Sequence, residues 1–358
     1  MPVCFSCWVW PWDYLRFEGE YYRHFASGGA QVPASKNSSA EHWSQWWSEG
    51  HITSFGPALI NNYEGATRAH WLQIFAELSE ADILDIATGN GALATLAVEC
   101  AETHGKHFQV TATDIAAIGE HTSSTDSNIP RWRGQISFRA EVPCEQQPFP
   151  DASFDLIVSQ YGFEYSDIDA TLAEVHRLLR PGGRFQAIAH HASSGVIKRQ
   201  VLSARVYQAA LQQLKLFTLL QRHFDSWGKA RNPQAVEKLT TKPKFQKSHN
   251  ALENALRQFV GAFPNDETAA RLFCAIDDLR GDASRMSPAA RTAALKKQEA
   301  GFLGAQARLQ DLFGAALDSD RIEHIRSRAR DIGYSDATAE PFLDEDGALA
   351  GWSLRLLN

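Results

Sequence analysis

The chain has 358 residues, enough to bury a sizeable core and more than one minimal α/β domain needs, so a large insertion or a second lobe is expected. A hydrophobic content of 44% with 22% charged residues argues against a disordered chain. The net charge of -7 argues against the long basic footprint that binding nucleic acid requires, and suits a small or neutral substrate better.

Residues 1–40 begin with closely spaced aromatics and continue through a cluster of Gly, Ser, Pro and Asn, which reads as a poorly ordered extension. They carry neither the positive start nor the apolar run of a secretory signal. No window reaches the apolar length of a membrane span, so a cytoplasmic protein without membrane partners is expected. The five cysteines, Cys4, Cys7, Cys100, Cys144 and Cys274, form no disulfide framework and suit a reducing compartment. Cys4 and Cys7 make a CxxC with no second half at zinc spacing, so two incidental thiols explain them better than a metal site.

From Glu41 to Leu78 the pattern is helical, with Trp43, Trp46 and Trp47 early, Trp71, Ile74 and Phe75 later, and a loop over residues 50–65. Strand and helix then alternate, which predicts a parallel sheet covered on both faces. Strands are expected over residues 81–87, 110–116, 136–141, 154–161 and 184–191. The turn Thr88 to Gly91 leads into a helix over 92–105, and another helix over 168–183 closes on Pro181, Gly182 and Gly183. Between 196 and 320 the alternation gives way to helices, among them one continuous helix over 201–224 and one opening at Ser287 and Pro288; residues 227–247 read as a loop. A helix over 322–333 and two closing strands end the chain. The expected organisation is a core of 41–195 and 321–358 with a helical insertion of 196–320.

The informative turn contains Asp85, Ala87, Thr88, Gly89 and Gly91. A tight passage from strand to helix needs residues without side chains so that backbone can approach a ligand. Gly89, Gly91 and Ala94 also satisfy the dinucleotide pattern GxGxxG/A, with Asp114 at a suitable distance for either ligand. Charge separates the two. A carboxylate at Asp85 would oppose a pyrophosphate but favourably meet the ammonium or sulfonium of S-adenosylmethionine (SAM).

Three segments carry a family resemblance. DIATGNGA resembles motif I of the quinone C-methyltransferases, PFPDASFDLIVSQ the signature of the type 11 methyltransferase domain, and LAEVHRLLRPGGRF the helix and turn that follow its fourth strand. The resemblance covers about 70–192 and returns at 322–357, and a nicotinamide dehydrogenase would not be expected to carry the set. It implies a class I SAM-dependent methyltransferase. The implied fold is α/β and Rossmann-like, with seven mostly parallel strands, an antiparallel closing hairpin and the helical insertion as a lid. SAM would be the cofactor and S-adenosylhomocysteine the product. By position, Asp85 and the backbone from Ala87 to Gly91 would hold the methionine portion, Asp114 the ribose hydroxyls, and Ile115 the adenine. The chain departs from the family at Pro143, where an aspartate is usual; Glu145 or Glu141 would substitute, with Cys144 offering its amide. Gln160 would sit beside the methionine portion.

Candidate catalytic groups lie at the carboxyl ends of the strands, where open α/β sheets bind ligands. His190 and His191 end the fifth strand and have suitable reference pKa values for proton transfer, although capping or solvation explains them as well. Tyr161 and Glu164 follow the fourth strand, and the absence of a paired-proline motif there lowers nucleic-acid base methylation in rank. His51, Tyr63 and Arg68 precede motif I in a segment that in relatives folds over SAM; without a diagnostic motif, structural roles explain them better. The three tryptophans would line an apolar pocket or pack a helix. No metal is expected, since Glu164, Asp167 and Asp169 open a helix where carboxylates favour the dipole, and adjacent histidines on a strand point apart. The expected function is methyl transfer to an O, N or C nucleophile of a small molecule, aromatic acceptors included. A protein or peptide methyltransferase and a non-catalytic SAM-binding scaffold are the alternatives, and the helix from Pro288 could instead form a homodimer.

Overall fold

The computed structural model describes residues 36–119 and 122–358. Cys4, Cys7 and most of the 1–40 extension lie outside the described residues.

Helix α1 (Lys36–Ser48) is followed by a 3-10 turn (Gly56–Leu59) and α2 (Gly65–Ala76). The alternating section is β1 (Glu80–Ile86), α3 (Ala92–His104), β2 (His107–Thr113), α4 (Ile129–Arg133), β3 (Ser137–Arg139), β4 (Phe154–Gln160), α5 (Ile168–Leu178) and β5 (Leu179–His190). The insertion comprises α6 (Gly195–Tyr207), α7 (Leu216–Ser226), α8 (Pro233–Glu237), α9 (Pro243–Ala262), α10 (Glu267–Ala283) and α11 (Pro288–Ala315). Helix α12 (Ser319–Ile332) and the hairpin β6 (Asp336–Leu343) and β7 (Leu349–Leu357) complete the chain.

The seven strands lie in the order β3-β2-β1-β4-β5-β7-β6, with β7 antiparallel to both its neighbours and the other pairs parallel. The strand order turns back at β1 and β4, and at such a switch point a crevice opens beyond the carboxyl ends. Apolar strand residues on one face, including Ile83, Val110 and Leu156, pack with Trp71 and Phe75 of α2 and with α3; Leu84, Ile157 and Phe185 face α5 and α12 on the other. Glycines in left-handed backbone bracket α3: Gly91 (φ 85°) caps its start and Gly105 (φ 62°) its end.

Three boundaries differ from expectation. Helix α5 ends at Leu178, because Leu179 already pairs with Phe154 while Pro181, Gly182 and Gly183 bulge out before pairing resumes between Leu156 and Arg184. The continuous helix expected over 201–224 is broken by a π-helical turn (Gln208–Gln213) and by Lys215, which adopts left-handed backbone (φ 51°). The expected loop at 227–247 holds α8 and the start of α9, both opened by proline. The start at Ser287 and Pro288 is as expected, with the Ser287 hydroxyl accepting from the Ala290 amide.

The insertion has an apolar core of its own, including Leu216, Phe217, Leu220, Leu252, Phe259, Leu272 and Ile276. Its long helix α11 packs against α1, α6, α7 and α10.

Candidate functional site

The crevice at the switch point is a cleft walled by aromatics and floored by strand ends. Ala87 and Thr88 follow β1, Asp114 and Ile115 follow β2, Cys144 and Glu145 follow β3, and Gln160, Tyr161 and Gly162 end β4; all border it. Trp43 and Trp47 of α1, with Ile52, Thr53, Ser54 and Tyr63, cover it from the other side. Among the described residues that border it there is no Lys, Arg or His.

Local sequence explains the turn. Gly89 (φ 56°) has the Trp47 indole so close that an added Cβ would stand 2.5 Å from it. Ala87 holds left-handed backbone (φ 52°), and Gly162 makes room for it, since a Cβ there would come within 2.6 Å of the Ala87 methyl. Asp114 is buried; its Oδ2 accepts the Gly89 amide at 2.7 Å and its Oδ1 the Ala116 amide at 2.8 Å. Burial pushes its pKa up to about 6 despite those two bonds. Asp85 lies behind the turn and does not border the cleft: its Oδ2 accepts the Thr88 hydroxyl at 2.5 Å and the Ala94 amide at 3.1 Å. Burial raises its pKa to about 7, opposed by the Thr88 and Ala94 bonds. Its place in the structure is as a brace joining the turn to α3. Gly91 is likewise turned away, facing Phe138 and Arg133.

Of the acids after β3, Glu145 borders the cleft and Glu141 does not; the Glu145 carboxylate also accepts the Asp167 amide at 2.8 Å. Cys144 is buried against the cleft, and desolvation pushes its thiol pKa up.

The catalytic candidates divide. Tyr161 borders the cleft in left-handed backbone (φ 55°), while Glu164 and His190 are buried behind it. One Glu164 oxygen meets both the His190 amide (2.8 Å) and His190 Nδ1 (2.7 Å), and the His190 ring lies 4.3 Å from that of Tyr161. This pair buttresses the wall formed by Tyr161 and Tyr165 and does not itself reach the cleft. His191 turns to the other side and stacks on Trp352 at 4.5 Å. Asp167 caps α5 through the Ala170 amide, and Asp169 pairs with His324 at 2.7 Å.

Among the residues before motif I, Tyr63 borders the cleft and is buried, so its phenol pKa stands well above 10. Arg68 pairs with Glu99, and the His51 ring lies 4.1 Å from that of Trp46, tilted by 32°, and meets Glu49 at 3.1 Å; neither borders the cleft. The covering element is α1. Trp43 and Trp47 serve as wall, whereas Trp46 packs between His51 and the Arg308 guanidinium, 4.5 Å from its ring centroid. No residue of 196–320 is among those bordering the cleft. The insertion supports the site from behind: α11 holds α1 by the His42 to Asp311 pair at 2.7 Å and packs against the turn over Phe163–Tyr165, which carries Tyr165 of the wall. The wall facing the cleft is thus supplied by α1, which precedes the sheet in sequence, and by residues that follow the strands, with the insertion packed behind them.

The sequence had singled out none of Asn90, Thr53, Ser54 or Ser166. Asn90 is buried and holds the cover: its Nδ2 donates to the carbonyls of Trp47 (2.9 Å) and His51 (2.8 Å), and its Oδ1 accepts the Gly119 amide (2.8 Å). Its position inside the TGNG turn is the one signal that pointed to it.

The site suits the cofactor implied by the resemblance. SAM brings a sulfonium and an ammonium into a cleft that offers a buried carboxylate and aromatic faces, which attract cations, and among the described residues no basic side chain competes at its border. Ile115 is one of few large apolar residues left exposed, at 39%, and stands next to Asp114 with a face for a planar base. Asp114, Ile115, the backbone of Ala87 and Thr88, and Gln160 would hold the cofactor.

Residues 84–187 match the family model described as a methyltransferase domain. The chain is 33% identical over 103 residues to the ubiquinone/menaquinone biosynthesis C-methyltransferase UbiE of Geotalea daltonii, covering 28% of this chain and 42% of that protein. It is 35% identical over 106 residues to the demethylmenaquinone methyltransferase of Thermus thermophilus, covering 28% and 44%. The chain thus spans less than half the length of these curated relatives. A SAM-dependent methyltransferase structure from Mesorhizobium loti aligns over 36% of this chain and 56% of its own, at 20% identity and a TM-score of 0.27. Together with the seven-stranded sheet and its closing hairpin, the family match shows that the chain carries a class I, SAM-dependent methyltransferase domain.

Proposed function

We propose that the protein transfers a methyl group from SAM to an O, N or C nucleophile of a small molecule, with planar aromatic acceptors the best suited. The observation that carries this reading is the placement of Asp114 and Ile115 at the lip of a cleft that Trp43, Trp47, Tyr63, Tyr161 and Tyr165 wall on its other sides. When bound, SAM supplies an electrophilic methyl group on a positively charged sulfur. The chain's own contribution is to position and to exclude water. Asp114 accepts from the ribose, the aromatic wall presents π-faces to the charged centre and to the acceptor, and α1 shields the cleft from solvent. Glu164 and His190 hold Tyr161 and Tyr165 in place. The curated relatives act, by their names, on ubiquinone and menaquinone precursors, and a flat ring between tryptophan and tyrosine side chains is consistent with an acceptor of that kind.

A cleft bordered by α1 on one side and strand ends on the other favours a small acceptor over a polypeptide, which would need a long groove. The test is transfer of labelled methyl from SAM by the whole protein into a metabolite extract and, separately, a protein extract. Label in small molecules alone is expected; label in protein alone would replace this reading by the peptide alternative, and binding of SAM without transfer to either would support a scaffold.

A further inference from the structure

The cleft floor holds a buried polar group whose pairing is incomplete. Gln160 ends β4, borders the cleft and is only 7% exposed. Its Oε1 accepts the indole Nε1–H of Trp71, a fully buried residue of α2. An indole nitrogen can only donate, so the bond dictates which way the amide faces: oxygen toward Trp71, Nε2 away from it. Among the described residues Nε2 has no partner. A buried donor without an acceptor is unfavourable until a ligand supplies one.

Its place says which ligand atom that is. The neighbouring Ser159 hydroxyl donates to the Ile86 carbonyl at 3.0 Å and Gly162 abuts Ala87, so the end of β4 lies beside the start of the glycine turn, where the methionine portion of the cofactor is expected. Among the described residues no basic side chain borders the cleft, so a ligand carboxylate there meets neutral donors in place of a cation.

We propose that Trp71 is a positioning residue that locks Gln160 as a hydrogen-bond donor to the cofactor's α-carboxylate, so that the cleft selects against ligands lacking that group. The inference rests on the cofactor reading above. Calorimetry with S-adenosylhomocysteine and with its decarboxylated counterpart, S-adenosyl-3-thiopropylamine, tests it on the full chain. Gln160→Glu keeps the shape and the acceptor for Trp71 but puts an oxygen where the amide nitrogen stood; its affinity for S-adenosylhomocysteine should fall about tenfold or more. Its affinity for the decarboxylated ligand should change less than about threefold. Trp71→Phe frees the amide to turn over and should weaken S-adenosylhomocysteine selectively, and the double variant should lose no more than Gln160→Glu alone. If Trp71→Phe does not fold, Gln160→Glu decides by itself. Equal binding by wild type and Gln160→Glu, or equal losses for both ligands, overturns the lock while leaving the cofactor reading intact. A wild-type protein with no affinity for S-adenosylhomocysteine overturns both.

Discussion

Asp85 and Asp114 stand one strand apart at the same edge of the sheet, and only one of them faces the cleft. Both are buried acids whose pKa burial has raised, to about 7 and about 6. Such an acid holds its proton more tightly folded than unfolded. The stability it contributes is complete below the unfolded value of about 4 and is lost as pH rises through the folded value. The ligand-free protein should therefore become easier to unfold by urea between pH 4 and pH 7, with a flatter profile for Asp114→Asn. Ligand binding should run the opposite way, because ribose hydroxyls donate to the ionised carboxylate: affinity for S-adenosylhomocysteine should strengthen as pH rises through about 6. Asp114→Ala should lose roughly 1.5 to 3 kcal/mol of binding, about tenfold to a hundredfold. Calorimetry giving the same affinity for Asp114→Ala as for wild type, at pH 5 and pH 8 alike, would remove Asp114 from the cofactor site. The spacing of these acids was legible in sequence. Their division of labour was not, because it depends on Thr88 and the Ala94 amide turning toward Asp85.

Among the elements, α1 has the most to do for its length. One side is tied to the sheet by Asn90 and by the Ala117 amide donating to Ser44 Oγ at 2.9 Å; the other is tied to α11 by His42 and by Arg308 over Trp46. Trp43 and Trp47 border the cleft from α1, so a cover that opens for the cofactor is expected to move them. Asn90→Ala removes the bonds to the Trp47 and His51 carbonyls and should cost about 1 to 3 kcal/mol of unfolding free energy. It should also speed release of S-adenosylhomocysteine in stopped-flow displacement. An unchanged release rate with reduced stability would mean that α1 is a fixed wall and not a cover that opens. Helical periodicity announced α1, but whether its tryptophans pack or line could not be read from spacing, since both uses demand the same apolar face.

At the scale of the whole molecule the insertion is a second packed body with a core separate from the two faces of the sheet. Units of that kind open independently, so amide hydrogen exchange should lose protection over residues 196–315 under milder conditions than over β1, β4 and β5. Replacing 196–320 by a short linker should leave the sheet folded yet speed the release of S-adenosylhomocysteine, because α1 would lose the support of α11. A shortened chain that retains the ligand as long as the full chain would show that Asn90 and Ser44 suffice to hold the cover.

What the sequence by itself determined is the part in which neighbours along the chain are neighbours in space: the glycine turn, the acid ending β2, the alternation that makes a parallel sheet, and the motif that places the domain in its family. Tertiary structure decided most of the rest, chiefly by joining residues far apart in the chain. Asn90 meets Trp47 across 43 residues, Trp71 meets Gln160 across 89, and His42 meets Asp311 across 269. Each of these residues has an ordinary local explanation, and each acquires its role only when packing brings its partner within bonding distance.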